Sequence, residues 1–153
     1  MGNSLKYSIL VLLVLLSVGC AQSRITHQQG ALQGYVTAYM HDNLPIKEGH
    51  KGVGFSTTLY IYAPTLVSQV DNAQLASQKA VNIQSKLIDS VTSNNKGFFT
   101  KWLAPGKYSI FIKWEDAYYI PYFSGSQWLS LFEIKPGEQT SLDLKLIGEK
   151  SYQ

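Results

Sequence analysis

Few residues in this chain can do chemistry. Cys20 is the only cysteine among 153 residues, so its thiol has no disulfide partner and calls for a reaction of its own. His27, His41 and His50 are the only histidines. None stands in an HExxH or HxH spacing. One loop could gather His41, Asp42 and His50 around zinc, but solvated loop histidines explain the same residues more simply. Serines abound without a GxSxG and without a histidine placed to activate one. Glu115 and Asp116 are adjacent at a strand end, where a solvated turn accounts for them better than a general acid and base. The chain therefore reads as non-catalytic, with no metal and no cofactor. What remains is an aromatic set, Trp114, Tyr118, Tyr119, Tyr122, Phe123 and Trp128, interleaved with Glu115, Asp116, Ser124 and Gln127. Rings beside polar groups stack on sugars or anchor a protein partner. The competing use is structural: half of them fill the end of a core and the rest close a loop.

The surroundings of Cys20 say what its thiol is for. Residues 1–6 are weakly basic, and residues 7–18 form an apolar run, short of the ~20 residues that span a bilayer. Small residues then lead to the cysteine, in the order of a secretory signal. The run Leu16-Ser17-Val18-Gly19-Cys20 resembles a bacterial lipoprotein lipobox, although Ser17 stands where that pattern usually has leucine. The resemblance implies cleavage between Gly19 and Cys20 and acylation of Cys20 by three chains. Each buried CH₂ is worth ~0.8 kcal/mol, so three chains hold a domain on the membrane. Ala21 follows, where an aspartate would be a retention signal, which resembles outer-membrane sorting. No acidic export signal comes after it, which favours the periplasmic face.

Beyond the signal (1–19) and a polar tether (20–29), the rest makes one domain (30–148) with a short tail (149–153). Charged residues are 15% with a net charge of +3. Lysines and arginines are scattered, so there is no nucleic-acid footprint. Period-two alternation dominates. Stretch 30–40 is a first strand with Leu32, Val36, Ala38 and Met40 on one face, and Gly34 inside it marks a bulge or a close backbone contact. Stretch 56–63 sets Leu59 and Ile61 against Tyr60 and Tyr62. An excursion over 65–83, with a helical turn across 72–79, leads to a strand at 85–92 and a turn in which Gly97 takes a left-handed conformation. The organising stretch is 97–114, read as a hairpin about a type II turn at Ala104-Pro105-Gly106-Lys107. Residues 115–125 connect it to a strand at 126–134, apolar on both faces and so central in its sheet. A second Pro-Gly turn at Lys135-Pro136-Gly137-Glu138 precedes 139–147, where Leu142, Leu144 and Leu146 alternate with Ser141, Asp143 and Lys145. About seven short strands with Pro/Gly turns predict an all-β, antiparallel, seven-stranded β-sandwich.

Three local patterns carry a further resemblance: Gly34-Tyr35-Val36, Gly97-Phe98-Phe99, and Leu103-Ala104-Pro105-Gly106-Lys107-Tyr108. With the closing Lys135-Pro136-Gly137-Glu138, they make residues 34–146 similar to the carboxypeptidase regulatory-like domain, of transthyretin (prealbumin)-like fold. Ala104 replaces that family's first proline, and Lys101 stands where an apolar inward residue is usual. Such domains sit beside a catalytic domain without an active site of their own, or serve as spacers, plug-adjacent modules or carbohydrate-binding platforms. The expected function is a lipid-anchored accessory or protein-interaction module of the envelope. The alternative is a carbohydrate- or peptidoglycan-binding module using the Trp114 to Trp128 loop.

Overall fold

Alternation, not helical spacing, decides the architecture. The computed structural model describes residues 28–41, 52–71 and 77–149, with no α-helix among them. The strands are β1 (Gly30–His41), β2 (Val53–Gly54), β3 (Thr58–Tyr62), β4 (Val70–Asp71), β5 (Lys79–Ala80), β6 (Asn82–Ile83), β7 (Leu87–Thr92) and β8 (Phe98–Leu103). They continue as β9 (Gly106–Trp114), β10 (Ala117–Tyr119), β11 (Phe123–Ser124), β12 (Trp128–Leu129), β13 (Leu131–Ile134), β14 (Gln139–Ser141) and β15 (Leu144–Glu149). The expected signal, Cys20, the expected tether up to residue 27, most of the expected helical turn over 72–79, and the expected tail beyond residue 149 lie outside the described residues.

Two sheets face each other. In the first, β1 is central: β8 and β2 run antiparallel along one side of it, and β14 and β15 run parallel along the other. In the second, β9 is central. Leu59 of β3 and Tyr119 of β10 both pair with Ile112, so these strands flank β9 on opposite sides. β13 follows β10 along its side, and β7 extends the sheet beyond β3. Between the sheets lies a core of Leu32, Val36, Phe99, Leu103, Leu144 and Leu146 from the first and Leu59, Ile61, Ile110, Ile112, Phe132 and Ile134 from the second. The chain is thus an all-β sandwich.

The same alternation builds a second core. Phe111 is fully buried on the opposite face of β9, with Tyr62, Ala80, Ile83, Ile120 and Leu129 around it. The excursion through β4 to β6 and the β11–β12 hairpin cover that face. Its buried polar groups are satisfied: the Thr65 amide donates to Ser109 Oγ at 2.9 Å, and Thr65 Oγ1 lies 2.6 Å from Ser85 Oγ.

Four expectations are corrected. First, 97–114 is not a hairpin, because β8 pairs with β1 while β9 lies in the other sheet. Gly106 has φ +155, nearly extended, where a type II turn needs about +80. The chain crosses from sheet to sheet at this corner, which the Tyr108 hydroxyl pins by donating to the Ala104 carbonyl at 2.8 Å. Second, 126–134 is two strands kinked at Ser130, φ +46, and among the described residues β13 pairs only with β9. Its two apolar faces arise because Leu129 enters the second core while Phe132 and Ile134 enter the first. Third, the connection 115–125 contains β10, which returns along β9 through a two-residue turn with Glu115 at φ +51. Fourth, the sheets are not purely antiparallel, since the C-terminal strands run parallel to β1, and short broken strands make the described count fifteen.

Gly34 makes the expected close contact. A Cβ there would lie 2.6 Å from the Leu142 carbonyl carbon and nearer still to its oxygen. Gly97 takes the expected positive φ, +82.

Candidate functional site

The six aromatic residues of stretch 114–128 do not share a face. Trp114 and Tyr119 point into the space between the sheets, since Trp114 pairs with Ala117 and Tyr119 with Ile112, both inward positions of their strands. Trp114 packs half-buried on Phe55, ring centroids 5.5 Å apart. Tyr119 is only 2% exposed. Its hydroxyl donates to Gln78 Oε1 at 3.0 Å and accepts from the Ile147 amide at 3.3 Å. Burial raises its pKa. Tyr122 is half-buried against the first core, and its hydroxyl donates to the Leu131 carbonyl at 3.2 Å. Burial pushes that phenol up to about 12. Tyr119 is thus buried, and Trp114 and Tyr122 are half-buried in packing contacts.

Tyr118 lies on the other face of β10. It meets Tyr60 edge-on at 5.6 Å, and Lys113 Nζ sits 5.0 Å from its ring centroid. Phe123 and Trp128 belong to the β11–β12 hairpin, where Phe123 is exposed and Trp128 half-buried. Beside that hairpin a cleft of about 420 Å³ is lined by Leu66, Val67, Ser68, Ser126 and Gln127. Among the described residues no titratable side chain lines it.

A different surface carries exposed aromatics that the sequence reading did not single out. On β8, Phe99 and Leu103 face the core, so Phe98, Thr100 and Trp102 face outward from the first sheet. Register places Trp102 beside Ala31, Thr100 beside Gln33 and Phe98 beside Tyr35. Tyr35 and Phe98 form a tilted ring pair at 5.3 Å, and Tyr35 is 50% exposed. Trp102 is 62% exposed, and Ile147 of β15 adds a further exposed apolar side chain on the same face. The alternation in Phe98–Leu103 could have marked this surface, but Lys101 at an inward position obscured it.

Lys101 itself is accounted for. It lies opposite Leu32 on the inner face of β8, and its Nζ bonds Asp89 Oδ1 of β7 at 2.8 Å, joining the rims of the two sheets. That bond, ahead of the opposing effect of burial, holds the Asp89 carboxyl below its usual range. Inward charges on edge strands also discourage pairing with another chain.

His27, Asp42 and His50 lie outside the described residues, and His41 ends β1, so the zinc constellation falls outside what the structure describes. Among the described residues no three His, Cys, Asp or Glu side chains gather to hold a metal. No helix there is long and apolar enough to cross a membrane. Neither a model of a known protein family nor a curated protein matches the chain.

Proposed function

We propose that this chain is a non-catalytic, lipid-anchored interaction module of the bacterial envelope. Acylated Cys20 holds it to the outer membrane, facing the periplasm, and its sandwich is of the carboxypeptidase regulatory-like, transthyretin-like kind. The partner is an envelope protein that binds the outward face of the first sheet. The observation that carries this reading is the Tyr35–Phe98 ring pair, Tyr35 exposed and Phe98 half-buried, on strands of a packed sandwich beside Gln33 and Thr100. Rigid rings next to polar groups give contact area at low entropic cost, and strands hold them more firmly than loops do.

A photo-crosslinking residue introduced at Gln33, Thr100 or, for comparison, Tyr118 in cells tests it. Positions 33 and 100 should give a protein adduct of one mass, and position 118 none. Adducts from 118 alone, or none from 33 and 100 in a folded, membrane-held protein, would overturn it. Saccharide binding lost on replacing Tyr118, Phe123 and Trp128 would move the site to the second sheet's hairpin.

A further inference from the structure

Of the three tryptophans only Trp102 is exposed, the other two being half-buried, and its place in the fold is informative. It lies directly across from Ala31, three residues after Gln28, where the described chain begins. Opposite residues of an antiparallel pair are about 4.5–5.5 Å apart at Cα. Trp102 therefore stands at the end of the sandwich from which the tether leaves. The exposed Ala104 of the sheet-to-sheet corner and the Lys135–Glu138 turn share that end. Gln28 approaches Gly137 of that turn, whose Cβ would lie 3.1 Å from Gln28 Oε1.

We propose that Trp102 inserts into the headgroup layer of the membrane that holds the acyl chains, so that the sandwich stands on this end. The proposal rests on the lipid anchor proposed above. Cys20 and Gln28 are eight residues apart, a reach of at most about 29 Å. Such a tether keeps Trp102 at an effective concentration near the surface of about millimolar, so a contact too weak for a free protein becomes populated. Tryptophan suits this layer because its ring is apolar and its N–H needs a polar neighbour. Charge does not supply the attraction. Lys135 lies 4.0 Å from Glu138, and Lys107 pairs across the strands with Glu133, so the lysines of this end are balanced by carboxylates. The Tyr35–Phe98 pair, four residues further along β8, stands about 13 Å higher, clear of the lipid and open to a partner.

The test uses the full lipidated chain in phosphatidylethanolamine–phosphatidylglycerol vesicles, with and without brominated acyl chains, which quench tryptophan on contact. Intact mass of the same sample reads the acylation of Cys20. Brominated lipid should remove about a third of the wild-type emission, one of three tryptophans, and almost none from a Trp102→Phe variant, whose exposed position leaves the fold intact. Equal quenching of the two proteins, with Cys20 acylated, would overturn the insertion while leaving the anchor standing. An unmodified Cys20 would remove the anchor and this proposal with it.

Discussion

Replacing Gly34 with alanine should loosen the closure of the first sheet. The added Cβ would lie 2.6 Å from the Leu142 carbonyl carbon and 3.2 Å from its nitrogen. Ordinary carbon contacts are about 3.5–4.0 Å, so the backbone at Leu142 must retreat by about 1 Å or more. Two hydrogen bonds flank the contact and resist that retreat. The Leu142 amide donates to the Gln33 carbonyl at 2.8 Å, and the Tyr35 amide donates to Asp143 Oδ1 at 3.1 Å. Losing one or both costs about 1 kcal/mol each, and overpacking adds about 1–3 kcal/mol. The lower entropy of the unfolded alanine chain returns about 0.4–1 kcal/mol. The net loss is about 1–4.6 kcal/mol. At about 4 °C per kcal/mol for a domain of this size, Tm should fall by about 4–18 °C. Thermal unfolding followed by circular dichroism measures this, with the exposed Thr100→Ala as a reference expected within about 0.5 kcal/mol of wild type. A Gly34→Ala protein melting within 2 °C of wild type (about 0.5 kcal/mol) would mean that β14 and β15 are not held against β1 as described.

Other perturbations separate the remaining parts of the account. Phe111→Ala should cost about 3–5 kcal/mol in denaturant unfolding, because Phe111 is fully buried at the centre of the second core; a loss under about 1 kcal/mol would show that face to be solvated. Lys101→Met should cost less than about 1 kcal/mol, since the two side chains are 30% and 38% exposed. It should also flatten the acid limb of the stability curve. Asp89 has a depressed folded pKa, so its contribution is present above the unfolded carboxylate range near pH 4 and is lost as pH falls through the folded value; an unchanged acid limb would exclude the pair as its source. Tyr122→Phe removes the bond to the Leu131 carbonyl, at about 1 kcal/mol near neutrality. The folded phenol is raised to about 12 from the usual 10. Its share of stability is present below pH 10 and lost as pH rises toward 12, so the variant should decline less over that range, and an equal decline would contradict the burial of this ring.

Much of the fold is legible in the chain because alternation is local. Leu59 and Ile61 against Tyr60 and Tyr62, and the leucines of 142–146, read directly as inward and outward positions. Gly34 and Gly97 read directly as well, since only a close approach or a positive φ calls for glycine there. What could not be read depends on partners distant in sequence. Leu103-Ala104-Pro105-Gly106-Lys107 has the residues of a tight hairpin turn, and those residues also serve a corner between sheets. The choice is made by β1 pairing with β8, some seventy residues away. The aromatic stretch misled for a related reason. Its rings are neighbours in sequence, but the turn at Glu115 sends Trp114 and Tyr119 inward and leaves Tyr118 outward. Trp102 was hidden in plain alternation, because an inward lysine beside it broke the apolar column, and the Asp89 that neutralises Lys101 comes from the other sheet.

The tether supports both proposals, and its direct test is the intact mass of the protein purified from membranes. The mature chain should begin at Cys20 and carry three acyl chains, and a Cys20→Ala variant should be left unacylated and uncleaved after Gly19. A chain cut elsewhere, or one with a free thiol at Cys20, would contradict it.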